Sequence, residues 1–400
     1  MRIAHVITRL ILGGAQENTV LCCEDLMRDH GDDVLLITGP TLGPEGSLMD
    51  RARRSGVPAK VINSLRRAIH PARDWSAYRA IRATLREFRP DVVHTHSAKG
   101  GVLGRAAAWS LGVPAVVHTV HGAPFYPYQN PATRALYRTC ERWAAKRCHL
   151  LISVADAMTE LMVDAGVAPR GKFTTIFSGM EVEPYLAADE HRDAARAALG
   201  YSPEHVVIGK VARLFHLKGH EYVIAAAEQV VHEVPAARFL LIGDGLLRDR
   251  LRRRINRAGL SNHFQFAGLV PPERLPEFYA AIDMLVHASL REGLPRVLPQ
   301  ALIAGRPAVS FDIDGAREVV IDDETGYLVA PRDVSGLARA MIRLAEDRPL
   351  RERLGQGGRA RLVEQFDHRK MTAQIRGVYS RLLAYDAGGP ARPSESLSPD

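Results

Sequence analysis

The chain is poor in aromatics, 6% of its residues, and has only four cysteines, Cys22, Cys23, Cys140 and Cys148. None stands in a Cys-x-x-Cys pair, which removes the usual zinc and dithiol motifs and leaves buried, reduced thiols of a cytoplasmic protein as the reading. No uninterrupted apolar run approaches the ~18 residues that a membrane-spanning helix needs. The start, Met1-Arg-Ile-Ala-His-Val-Ile-Thr8, has charged and polar residues inside its apolar run, so it reads as a strand and not as a signal peptide. A repeat signature is missing, and so is the Gly-x-Gly-x-x-Gly fingerprint with an acidic residue closing the second strand, which disfavours a dinucleotide-dependent dehydrogenase. Basic side chains are not interleaved with aromatics as a nucleic-acid stacking platform requires, so no nucleic acid is expected as partner.

What is present is the composition of an ordinary globular protein: 400 residues, 46% apolar and 24% charged, enough for two or three domains with real cores. The net charge of +8 is unevenly placed. Residues 1–180 hold 23 Lys and Arg against 15 Asp and Glu, so the whole excess lies in the first half. That asymmetry suggests an anionic partner for this half, a membrane surface or a phosphorylated acceptor.

Strand-like and helix-like segments alternate. Strands are expected at Ile3–Thr8, Val34–Thr38, Val57–Ile62, Asp91–His96, Ala115–Val120 and Leu150–Val154. A second series is expected at Val206–Ala212, Arg238–Ile242, His263–Phe266, Met284–His287, Ala308–Phe311 and Gly326–Val329. Alternation of this kind argues for α/β architecture with parallel sheets, here two facing Rossmann-like, doubly wound domains with a cleft between them. The boundaries expected are 1–182, 183–368, a last helix over 369–385 and a disordered Pro-, Gly- and Ser-rich tail over 386–400. Asp74 is expected to cap a helix running to Phe88, with Trp75, Tyr78, Ile81, Leu85 and Phe88 on one face and Arg79, Arg82, Arg86 and Arg89 over much of the rest.

Several strand ends carry candidate chemistry. Gly13-Gly14 follow the first strand and precede a helix, where glycines let backbone approach a ligand and leave N–H groups to meet it. Arg213 and Lys218 bracket the loop after Val206–Ala212, a density of positive charge that suits a diphosphate. His121 ends the strand Ala115–Val120. Gly243-Asp-Gly245, Gly268-Leu-Val270 and Glu292-Gly293-Leu294-Pro295 each follow a strand of the second series, where open parallel sheets collect ligands. Glu292 is followed eight residues later by the amide Gln300. Two metal readings are disfavoured: His94 and His96 have no third ligand apparent, and Asp312-Ile-Asp314 sits late in the second domain.

Together these segments resemble the retaining nucleotide-sugar glycosyltransferases of family 4, whose fold is GT-B. The Glu292…Gln300 stretch resembles that family's Glu-x7-Glu signature with its second acid exchanged, and Arg213…Lys218-Gly219 resembles its pyrophosphate site. The resemblance implies a metal-independent enzyme that moves a sugar from a nucleotide-diphosphate donor to an acceptor hydroxyl without a cofactor. It implies that Glu292 and His121 meet the donor sugar, and that Arg213, Lys218 and the amides of Gly293 and Leu294 hold the diphosphate. Main chain near Val270 would hold the base, and Gln300 would meet the ribose. Gln300 retains one carbonyl acceptor, so the exchange is expected to cost about 1 kcal/mol of donor affinity. A sugar or lipid-linked acceptor, surface polysaccharide or glycolipid synthesis, and a cytoplasmic, peripheral position at the inner membrane face follow by the same analogy. A nucleotide-sugar epimerase on the same fold and a non-catalytic nucleotide-sugar-binding protein are the alternatives.

Overall fold

The computed structural model describes residues 1–42 and 46–386. They form two compact units, Met1–Met180 together with the chain from Asp367 onward, and Glu181–Phe366. The expected disordered tail lies outside the described residues apart from Asp386, which ends the last helix.

The first unit is built on a seven-stranded parallel sheet: β1 (Arg2–Arg9), β2 (Asp33–Gly39), β3 (Ala59–Val61), β4 (Val92–His96), β5 (Ala115–Val120), β6 (Leu150–Ser153) and β7 (Phe173–Thr175). Their order is β3-β2-β1-β4-β5-β6-β7. Helices cover both faces of such a sheet, which is why Ile3, Ala4, Val6 and Ile7 are all buried although they alternate in direction. The second unit repeats the scheme with β8 (Val206–Val211), β9 (Ala237–Ile242), β10 (Phe264–Gly268), β11 (Met284–His287), β12 (Ala308–Phe311) and β13 (Gly326–Val329), in the order β10-β9-β8-β11-β12-β13. In each sheet the order reverses once, between β1 and β4 and between β8 and β11. The chain connections at that switch point run to opposite sides of the sheet, and the carboxyl ends of the strands there are where such sheets take ligands.

Four expected strands agree with the structure to the residue: β5, β11, β12 and β13. β7 was not anticipated, because three residues at a sheet edge are too few to show a period. The helix expected from Asp74 begins earlier, at Pro71. His70 Nδ1 accepts from the Arg73 amide at 3.3 Å, and the Asp74 carboxylate accepts from the His70 amide at 3.1 Å, a reciprocal cap that makes His70 the cap residue. Its buried stripe is Ala77, Ile81 and Leu85, whereas Trp75 is 62% exposed instead of facing the core.

The last helix, His368–Asp386, packs on the helix Gly14–Arg28 of the first unit. Its anchor is Asp25, which is buried and accepts from His368 Nδ1 at 2.7 Å, from the Thr372 hydroxyl at 2.9 Å and from Arg28 at 2.7 Å. Nearby, burial pushes the Cys22 thiol up to about 12, so this cysteine is an inert core residue, and all four cysteines are unpaired. No helix among the described residues is long and apolar enough to cross a membrane.

Removing one member of a buried, bonded charge cluster strands the others. Asp25→Ala is therefore expected to destabilise the first unit by about 3 kcal/mol, read as a lower urea midpoint, with Thr372→Val costing about 1 kcal/mol. Equal midpoints for wild type and both variants would show that the helix is held by other contacts.

Candidate active site

In the second unit the loops after β8 and β11, the two strands flanking the reversal, meet through one ion pair. Lys218 Nζ lies 2.6 Å from Glu292 Oε1. His287 Nε2, from the end of β11, is 3.7 Å from the same oxygen. Burial pushes the Glu292 carboxyl up, but the Lys218 ammonium, with His287 and the Ser289 hydroxyl beside it, holds it below its ordinary range. Burial also takes His287 down to about 3, against the pull of Glu292, so its imidazole is neutral. Beneath them lies Lys210, buried within β8, whose ammonium has no hydrogen-bonding partner among the described residues and which burial lowers to about 7.

Backbone constraints explain why the loops close on one another. Gly219 has φ 69°, and a Cβ there would fall 1.7 Å from the Ala288 carbonyl oxygen, so only glycine fits directly after Lys218. The Leu290 amide donates to the Leu217 carbonyl at 2.8 Å, joining the same two loops. Gly243 has φ 133° and would place a Cβ 2.2 Å from the Ala212 carbonyl oxygen, and the Leu214 amide donates to the Asp244 carbonyl at 3.0 Å. The turn at Glu292 is buttressed from β12: Asp314 accepts from the Glu292 amide at 2.6 Å, and the Gly315 amide donates to Gly293 O at 3.3 Å.

The structure thus brings Lys218 and Glu292 together, and the other anticipated residues of this unit stand on the connections that follow its strands. Arg213 is exposed, its guanidinium 5.1 Å from the Phe215 ring centre. Gly245 and Val270 stand just beyond β9 and β10. Gly293 and Leu294 precede the helix Val297–Ile303, so their amides belong to the turn and not to the helix's first turn. Pro299 is the third residue of that helix, inside the turn whose N–H groups have no intrahelical partner, which removes the conflict a mid-helix proline would raise. Gln300 is 6% exposed, and its Oε1 accepts from the Tyr279 hydroxyl at 3.0 Å. The carbonyl expected to meet a ribose therefore already has a donor.

Sequence reasoning missed Lys210, Tyr279 and the true role of Asp314. A lysine inside a strand run read as apolar was the available signal for Lys210. Asp314, one half of the disfavoured Asp312-Ile-Asp314 metal pair, holds the Glu292 amide, and Asp312 is paired with Arg317 at 2.9 Å. A cavity of about 800 Å³ lies at the other, N-terminal edge of this sheet, lined by Arg192, Arg196 and Arg306, already paired with Asp283 or Asp189.

In the first unit Gly13 is extended, with φ 178°, and leads into the helix Gly14–Arg28 at the β1–β4 reversal. His121 follows β5 directly, and its Nε2 lies 3.1 Å from His96 Nδ1. His94 and His96 do gain a third histidine, His5, close enough to share an ion. Every ring nitrogen of His94 and His96 is nevertheless engaged by a side chain: Tyr379 and Thr119 on His94, His5 and His121 on His96. The cluster is a hydrogen-bond network.

Residues 14–178 match the family described as Glycosyl transferase 4-like domain, and residues 191–361 match Glycosyl transferases group 1. Over 95% of the chain, and 96% of the relative, the sequence is 28% identical to the UDP-Gal:alpha-D-GlcNAc-diphosphoundecaprenol alpha-1,3-galactosyltransferase of Escherichia coli. In structure it is similar to HepE of Anabaena in complex with UDP, with a TM-score of 0.80 and 23% identity over 95% of this chain and all of that one. Sucrose-phosphate synthase of Thermosynechococcus elongatus gives 0.81 and 21% identity, covering 96% of this chain and all of that one. With both halves matched in order and the doubly wound sheets observed in each, the chain belongs to the group 1 glycosyltransferases of GT-B fold.

Proposed function

We propose that this glycosyltransferase takes a nucleoside-diphosphate sugar at the β8–β11 reversal and transfers the sugar with retention of anomeric configuration. The observation that carries the reading is the Lys218–Glu292 pair, a cation and a carboxylate held together at the point where the sheet opens. Arg213 and Lys218 would take the diphosphate, and Glu292, released from Lys218, would accept hydrogen bonds from sugar hydroxyls. With two cations on the leaving diphosphate, charge neutralisation requires no divalent metal. His121 is assigned to the donor sugar and Val270 to the base by the family resemblance. Gln300, its carbonyl held by Tyr279, has its NH2 left to donate to a ribose oxygen. HepE bound to UDP and the galactosyltransferase named for a UDP sugar support a uridine donor, and the latter's diphosphoundecaprenol substrate supports a lipid-linked acceptor and a place in surface-polysaccharide synthesis.

A lipid-linked acceptor calls for docking at a membrane surface, and the exposed aromatics of the first unit support that reading. All three tryptophans of the chain, Trp75, Trp109 and Trp143, are 43–62% exposed, on the helices Pro71–Phe88, Ala98–Ser110 and Pro131–Ala145. The first two helices are joined where Tyr78 and Arg82 reach Ser110 at 3.3 and 3.0 Å, and Tyr78 stacks on Trp75. Indole rings beside arginines suit a lipid headgroup region of negative charge.

Arg213→Ala and Lys218→Ala are each expected to lower kcat/KM for a UDP-sugar by at least about 100-fold, or ~2.7 kcal/mol, and the exposed Arg213 is expected to be lost without change in melting temperature. Turnover near wild type in both would remove the diphosphate assignment. Chelation by EDTA is expected to leave turnover unchanged, and recovery of a lost activity by Mg²⁺ would contradict the metal-free scheme. Binding to vesicles of phosphatidylcholine with 30% phosphatidylglycerol, a fraction on the order of that which gives a useful surface charge, should fall with salt and with Trp75→Ser. Equal binding to neutral vesicles would rule out the charged docking face.

A further inference from the structure

Buried histidines cross the centre of the first sheet in a row. Strand register pairs His5 of β1 with His94 of β4, and His96 of β4 with Thr119 of β5, and His121 follows two residues later. His5, His94 and His96 are at most 1% exposed. One hydrogen-bonded line runs from His5 Nδ1 to His96 Nε2 at 3.0 Å and on from His96 Nδ1 to His121 Nε2 at 3.1 Å. A second runs from Tyr379 through His94 to Thr119, at 2.5 and 2.7 Å. The His5 and His96 rings are stacked at 5.3 Å with 9° between their planes, and the His94 and His96 centres are 4.2 Å apart.

Burial pushes His5 down to about 3 and His96 well below its ordinary value, so both rings are neutral. A neutral imidazole has one N–H and one lone pair, and in a line of them the choices are not independent. If His121 donated from Nε2, His96 would donate to His5 Nδ1, and the proton of His5 would sit on Nε2. That atom is buried and has no partner among the described residues, and an N–H donor left there is the costlier orphan. In the other direction His5 Nδ1–H donates to His96, His96 Nδ1–H donates to His121, and only a lone pair is left over at His5.

We infer that His5 and His96 are positioning residues that hold His121 in a single tautomer, protonated on Nδ1 and accepting at Nε2. This is the opposite of the form that neutral imidazole prefers in water, so the line of rings overrides an intrinsic preference. Its value for the reaction rests on the assignment of His121 to the donor sugar: a ring locked in one tautomer presents one fixed pattern of donor and acceptor.

The test is long-range ¹H–¹⁵N correlation on the full chain labelled with ¹⁵N-histidine, with the His121 signals identified by their loss in His121→Gln. Wild type should show His121 protonated on Nδ1. His96→Leu should move the proton to Nε2, and His96→Asn, whose amide keeps an N–H toward His121, should restore the Nδ1 form. Should His96→Leu fail to fold, His5→Phe at the far end of the line serves in its place and should give a mixture of tautomers. In turnover, kcat for His96→Leu should fall by about tenfold or more with donor KM near wild type, and recover in His96→Asn. A wild-type His121 protonated on Nε2, or a tautomer unmoved by His96→Leu and His5→Phe, overturns the inference. Full activity of His121→Ala, beside an Nδ1-protonated wild-type ring, would instead remove the donor-sugar assignment and leave the tautomer result standing.

Discussion

Lys218 and Glu292 stand 2.6 Å apart where the second sheet reverses its strand order, and the surrounding loops are shaped to hold them there. A largely buried carboxylate is costly to keep ionised unless a cation faces it, and a cation beside it loses its pull on other anions. Lys218 therefore helps to keep Glu292 charged. Everything around the pair serves its placement: Gly219 permits the tight approach of one loop to the carbonyl of Ala288, Asp314 fixes the amide of Glu292, and the Leu217–Leu290 hydrogen bond ties the two loops. On the function proposed, a donor that brings both a diphosphate and sugar hydroxyls would offer each member a replacement partner.

The first unit solves a different problem. Its sheet buries histidines rather than only apolar residues, and it keeps them neutral by desolvation while giving nearly every ring nitrogen a side-chain partner. The last helix contributes Tyr379 to this network and anchors itself through Asp25, so a segment distant in sequence completes the first unit's core. Such networks are stable only when satisfied throughout, and they then fix one arrangement of protons and rings.

Much of the architecture was legible because parallel strands buried on both faces write themselves as short apolar runs between turn residues. β5, β11, β12 and β13 were readable to the residue for that reason, whereas the three-residue β7 carried too little pattern. At the site, glycines after strands and the spacing of Arg213, Lys218 and Glu292 signalled a diphosphate locus, and the structure brings the last two into contact. What stayed hidden were relations that depend on register and loop closure. His5 joins His96 only through the pairing of β1 with β4, and Asp314 reaches Glu292 only because the β12 loop folds over the β11 turn. Tyr279 claims the Gln300 carbonyl from a helix 21 residues earlier in the chain, and no local pattern announces that. Ile81 and Leu85 are buried on the expected face of their helix, and Trp75 alone departs from the rule that an aromatic at helical spacing packs inward.

The handover of Lys218 from Glu292 to a diphosphate is the centre of the account, and it has a direct thermodynamic signature. Calorimetric titration of UDP, which has no sugar to engage Glu292, should give a tighter Kd for Glu292→Gln than for wild type, by roughly three- to tenfold, because the competing carboxylate is gone. An unchanged or weaker Kd for Glu292→Gln would contradict the claim that the two groups are partners surrendered to the donor.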